Sequence, residues 1–204
     1  MPKEISSAPP RVGDEAPQAI IRLFRFPYQF FGRLCGNHSH TLMDIASGDA
    51  GQKTVLDGLF RRLIFFDNSC DHEFVKPADI RCIPMADKSV EVSFCFETVE
   101  HLDSPDQNQA LRELERVTQT QIVIGSIDEH GEDHVEGVPI FKKKNDSNPY
   151  HLRELNSLTF PQLIEQHFTD IEYYQSWPSP SGIAMRHGLW ARPLAYCNYA
   201  MINL

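Results

Sequence analysis

The sequence lacks any run of about 18 apolar residues, so no segment reads as a helix that spans a membrane. Paired cysteines are missing too. Cys35, Cys70, Cys82, Cys95 and Cys197 form no CxxC motif and no zinc-type spacing, a pattern that suits reduced, mostly buried thiols in a cytoplasmic protein. Basic residues are scarce: 19 Lys and Arg stand against 28 Asp and Glu, a net charge of −9. That balance weighs against nucleic acid as a partner, because phosphates demand a basic surface. The one dense basic run, Lys142 to Lys144, reads as a solvated loop. Neither GxGxxG nor a YxxxK pair occurs, which argues against a nicotinamide-dependent reductase. The first residues, MPKEISSAPPRVGDEAP, have no apolar centre and do not read as a secretory signal; residues 1–16 are expected to be a poorly ordered arm.

What remains is a 204-residue chain, 41% hydrophobic, of a length that suits one domain, here expected over residues 17–204. Strand candidates are TLMDI, RRLIFFD, a weak FVKPADI, VEVSFCF, QIVIGSI, DIEYYQS and AYCNYAMI. Between them lie helical patterns. Ile20, Ile21, Leu23 and Phe24 suggest a first helix interrupted near Pro27. Val55, Leu56, Leu59, Phe60 and Leu63 fall on one helical face, and Ala110, Leu111, Leu114 and Val117 on another. Thr159 is placed to cap a helix carrying Leu163, Ile164 and Phe168. The polar stretch 128–150 has few core residues and reads as a lid or insert. Alternating strand and helix argue for an α/β sheet with helices on both faces.

Chemistry concentrates in TLMDIASGDAGQKTVL. A strand ends in Asp44, then Ala46, Gly48, Ala50 and Gly51 supply residues small enough for a ligand to approach the backbone. Asp44 would repel a pyrophosphate and attract an ammonium group. Asp67 ends the second strand, where it can accept from ribose hydroxyls, and Asp79 follows the third, where it can accept from an exocyclic amine. An amine, a ribose diol and an adenine without phosphate describe S-adenosylmethionine.

These segments resemble class I S-adenosylmethionine-dependent methyltransferases of the type-11-like group. LMDIASGDAG is similar to the family's first motif, LIFFDNS to its second, and ADIRCIPMADKSVEVSFCFETVEHL to its run from the third strand through the fourth. LRELERV fits the following helix, and NPYHLRELNSLTFPQL resembles a later segment, so the likeness spans Tyr28 to Phe168. It implies a Rossmann-like, seven-stranded, mostly parallel sheet in an α/β/α sandwich. It also implies Asp44, Ala46 and Gly48 around the methionine end, Asp67 and Asn68 at the ribose, Asp79 and Ile80 flanking the adenine, and Phe96 closing over the cofactor. Ala46 and Ala50 depart from the glycines common in the first motif, and the KPGG turn usual before the fifth strand is absent. The alanines leave open a second reading, a catalytically degenerate binding or partner subunit.

Methyl transfer to a hydroxyl or amine needs a proton acceptor, and His101 and His151 are the candidate bases. ETVEH offers another possibility: Glu97, Glu100 and His101 resemble an ExxEH pattern that holds a divalent metal in some O-methyltransferases, which would be Mg²⁺ or Mn²⁺. The family likeness implies a small-molecule acceptor, such as a sugar, glycan precursor or other metabolite.

Overall fold

The computed structural model describes residues 18–69, 71–127, 152, 155–179, 182–188 and 197–204. The expected N-terminal arm, the 128–150 segment, Cys70 and His151 lie outside these residues.

The described strands form one sheet of eight, one more than expected. β1 (Thr41–Ile45), β2 (Arg62–Asp67), β3 (Val75–Pro77), β4 (Val90–Phe96) and β5 (Thr118–Ile127) are parallel, in the spatial order β3-β2-β1-β4-β5. β8 (Cys197–Asn203) then pairs antiparallel with β5, and β6 (Ile171–Ser179) antiparallel with β8. The additional strand is β7 (Gly182–His187), which folds back on β6 at the sheet edge. It carries only a few apolar residues between Gly182 and His187, too weak an alternation to stand out in sequence.

Helices cover both faces, which is why all five residues of β1 are buried. On one side α1 (Gln18–Cys35) and the single turn α2 (Lys53–Leu56) bring Phe31 and Leu56 against Phe94, Val123 and Tyr199. On the other, α3 (Ser104–Val117) and α4 (Thr159–Ile164) place Leu111, Leu114, Leu163 and Ile164 against Met43, Ile122 and Ile124. α3 lies where the stripe of Ala110, Leu111, Leu114 and Val117 predicts, each 0% exposed, and Asp103 caps it by accepting from the Asp106 N–H at 3.0 Å.

Three local expectations are corrected. α1 runs unbroken through Pro27, because the loss of one backbone bond is outweighed by burying Pro27, Phe31 and Cys35 against the sheet. The helix expected to carry Val55 through Leu63 ends after one turn, where Gly58 takes a left-handed φ of 79° and the chain turns into β2. At α4 the capping side chain is Asn156, whose Oδ1 accepts from the N–H groups of Leu158 and Thr159 at 2.9 and 3.0 Å; Thr159 is already helical.

The order places β1 between β2 and β4, so connections leave in opposite directions at the β1/β4 boundary. The crevice outside the carboxyl ends of those strands is where such sheets take ligands.

Candidate functional site

The loop after β1 holds the most unusual backbone of the described chain. Ala46, Gly48 and Ala50 all adopt left-handed φ values, 62°, 57° and 56°. Only glycine takes such angles without steric cost, so two L-residues here follow a glycine-type path. The path is held from outside. Ser47 N–H donates to the Phe66 carbonyl at 2.9 Å, and Gly48 N–H donates to Asp67 Oδ2 at 3.0 Å. Both hooks come from β2, so the loop is pinned across the strand tips. The Ala50 residue is buried at 4% exposure in the α1-side core, whereas a Cβ on Gly48 would meet no atom within 4 Å. Gly48 faces open space. That is the cradle a backbone-approaching ligand requires.

Asp44 is 0% exposed. Gln52 Nε2 donates to its Oδ2 and also to the Ser47 carbonyl at 3.1 Å, while the Tyr28 hydroxyl donates to Oδ1 at 3.3 Å. Burial pushes the Asp44 carboxyl up to about 7; the Gln52 and Tyr28 bonds pull it down and the Asp67 charge adds to the rise. Among the described residues no ion pair involves Asp44. A buried carboxyl with neutral donors keeps its proton more readily than an exposed one, and a cation placed beside it would favour its ionised form.

Asp67, 8% exposed, accepts from Gly48 N–H, from Ser69 N–H at 2.8 Å and from Ser69 Oγ at 3.0 Å. Three donors fix its orientation, and a carboxylate has about four acceptor sites, so capacity for a ligand hydroxyl remains. Asn68, beside it, is exposed.

Other expected residues are placed differently. The Asp79 carboxylate is taken by Arg81, with Nε bonds of 2.9 and 3.1 Å, and Arg81 in turn reaches Asp106 at 2.6 Å. The Arg81 contacts hold the Asp79 carboxyl below its usual range. Ile80 packs into the α3-side core, so only its backbone is left for a ligand. Phe96 is also core: Tyr28 and Tyr199 pack edge-on against it at 4.7 and 5.8 Å. Its ring is thereby enclosed between Tyr28 and Tyr199 at the end of β4.

Beyond β4, Glu97 has a φ of 53° and its N–H donates to the Gly125 carbonyl at 2.9 Å. A 3-10 turn, Val99–His101, follows, with Glu100 1% exposed and His101 half-buried. The chain comes back to this turn at Leu152, whose N–H donates to the Glu100 carbonyl at 2.9 Å. Among the described residues no three His, Cys, Asp or Glu side chains converge as a metal set, so Glu97, Glu100 and His101 do not form the expected ligand triad.

Residues 35–121 match a family model described as a methyltransferase domain. The match covers the chain from the end of α1 to the first residues of β5. The described sheet has the Rossmann-like architecture of S-adenosylmethionine-dependent methyltransferases, shared at low identity with many solved structures. A possible histamine N-methyltransferase from Thermotoga maritima is 15% identical with a TM-score of 0.63, over 90% of this chain and 91% of that one. A methyltransferase from Archaeoglobus fulgidus is 14% identical with a TM-score of 0.63, over 92% and 95%. The [4+2]-cyclase SpnF is 12% identical with a TM-score of 0.55, over 76% and 60%. No curated protein matches the chain.

Two residues of this cleft could not be tied to Asp44 from the sequence. Tyr28 sits in a run of aromatics, where its hydroxyl is indistinguishable from one more core ring. Gln52 had a signal: it is the amide that closes the small-residue loop opened by Asp44.

Proposed function

We propose that this chain is an S-adenosylmethionine-dependent methyltransferase acting on a small-molecule hydroxyl or amine. One observation carries the reading: Asp44, buried and with no cation beside it among the described residues, and an oriented Asp67 stand at the carboxyl ends of neighbouring parallel strands, with Gly48 open between them. The residues fit the cofactor. Asp44 would face its ammonium group, Gly48 its approach to the backbone, and Asp67 with Asn68 its ribose diol. The Ile80 backbone and Asp79 would flank the adenine; Asp79 would accept from the amine only by sharing its carboxylate with Arg81. When bound, the cofactor supplies an electrophilic methyl group on a sulfonium. The chain's task is then to align the acceptor and take its proton.

His101, on the turn after β4, and His151 are the proposed proton acceptors, since a neutral imidazole nitrogen can take a proton from a hydroxyl or amine. The acidic surface, with net charge −9, favours a neutral or cationic small molecule over nucleic acid. Among the described residues no helix is long and apolar enough to cross a membrane. The acceptor class rests on family likeness and on nothing the fold dictates, as the cyclase on the same architecture illustrates.

A second reading, a degenerate partner subunit, draws on Ala46 and Ala50. The loop keeps its glycine-type path despite them, which favours a working site. Thermal unfolding with S-adenosylmethionine, S-adenosylhomocysteine and NAD⁺ in parallel separates the two. A ligand at 100 times its dissociation constant stabilises by about 2.7 kcal/mol, a visible shift. Stabilisation by both adenosyl ligands and not by NAD⁺ is expected. No shift with either would hand the lead to the partner-subunit reading.

A further inference from the structure

The Asp44 carboxylate is reached from three parts of the fold at once. Tyr28 comes from α1, Asp44 ends β1, and Gln52 closes the loop that precedes α2. Gln52 spans the loop, with its single amide nitrogen on both Asp44 Oδ2 and the Ser47 carbonyl. Tyr28 is held by its ring, edge-on to Phe96 at 4.7 Å and tilted on Phe94 at 6.2 Å. Its phenol is pushed well above the usual tyrosine range by burial and by Asp44, so it remains a neutral donor. Both side chains therefore aim Asp44 without neutralising it. The titratable neighbours are Tyr28 from α1, Asp67 from β2, and Cys95 and Glu97 at the end of β4; none supplies a positive charge.

We infer that Tyr28 and Gln52 are positioning residues for the amino-acid end of the cofactor: they orient Asp44 toward the ligand's ammonium group, and Tyr28 makes α1 part of that subsite. The inference rests on the cofactor reading above. It has a specific consequence. The pair should govern how well the protein distinguishes a ligand with the ammonium group from one without it, and leave the adenosine end untouched.

S-adenosylhomocysteine and 5′-methylthioadenosine form the test pair, since the second lacks the amino-acid portion. Calorimetric titration of the full chain gives the ratio of their dissociation constants. Tyr28→Phe removes the hydroxyl and keeps the ring on Phe96. It should cut the preference for S-adenosylhomocysteine roughly fivefold to tenfold while methylthioadenosine binds as before. Gln52→Met, of similar length without the donor, should act in the same direction. Tyr174→Phe is the control, because the Tyr174 hydroxyl bonds to Glu172 at 2.9 Å and not to Asp44.

The pH profile supplies a second readout that a purely structural role would not move. The preference should fall below neutral pH as Asp44 takes up its proton, by roughly tenfold or more between pH 7.5 and 5.5, while methylthioadenosine affinity stays level. A ratio unchanged in both variants, or equal losses for both ligands, would overturn the positioning role, as would a ratio flat with pH. If neither ligand binds the wild-type chain, the cofactor reading falls first and this inference with it.

Discussion

Replacing Asp44 by Asn tests the electrostatics of the site without any ligand. Asp44 is 0% exposed, and burial raises its carboxyl from the ordinary 3.8 to about 7. Between those values the native protein holds a proton that the unfolded chain has released. Wild-type stability therefore falls as pH rises from about 4 to about 7, and the loss is complete above the native value. Three pH units correspond to about 4 kcal/mol. Asn has the same shape and never ionises. It can still accept from Tyr28, and the Gln52 amide can meet its NH₂ group only by turning away from the Ser47 carbonyl, a loss of about 1 kcal/mol that lowers the gain. Asp44→Asn should therefore be more stable than wild type at pH 8, by up to about 4 kcal/mol, or on the order of 10 °C in Tm for a chain of this size. The gap should close toward pH 4. Urea unfolding of both proteins from pH 4 to 8.5 measures it. The difference curve isolates Asp44, since Asp79, Glu91 and Glu113, whose carboxyls are lowered and whose contributions slope the other way, are common to both. A constant difference across pH, or a wild type that gains on the variant as pH rises, would refute the assignment of a buried, unneutralised carboxylate.

The remaining expectations concern the same cleft. Ala46→Gly should stabilise the protein by about 1 kcal/mol, or roughly 3 °C in Tm, because φ is 62° there; an unchanged or lower Tm would show the backbone to be unstrained. Asp67→Ala should weaken adenosine and S-adenosylhomocysteine alike, roughly tenfold to a hundredfold, since it removes the ribose acceptor and the Gly48 hook together; equal affinity by calorimetry would remove Asp67 from the site. Chelator tests the metal reading: loss of turnover restored by Mg²⁺ or Mn²⁺ would give Glu97, Glu100 and His101 that role, and full turnover in chelator would end it.

Long, strongly patterned segments could be read directly from the sequence. TLMDI and RRLIFFD carry near-continuous apolar runs because both sheet faces are covered, VEVSFCF is apolar at every second position, and the stripe through Leu111 and Leu114 is deep enough to specify α3. Short elements were less legible. The residues Val55 through Leu63 carry helical spacing, yet Gly58 and the nearby start of β2 leave room for one turn only. Pro27 signals a break, and packing overrides it. The acids at strand ends were visible as residue types, but which of them stay available depended on neighbours far along the chain. Asp44 meets Tyr28 on α1, and the Arg81 that takes Asp79 is itself shared with Asp106 on α3.

By itself, then, the amino-acid order determined the alternation of strand and helix, the acidic surface, and the small-residue loop that follows Asp44. Those properties are local: they follow from periodicity, charge and side-chain size along a few neighbouring residues. Only the tertiary structure decided that the two alanines take glycine's conformation, that Phe96 packs between Tyr28 and Tyr199, and that Asp44 is buried between α1, β1 and the Gln52 loop with no cation beside it among the described residues. Burial and hydrogen-bond partnership belong to contacts between distant segments, and those exist only once the sheet has brought its strand ends together.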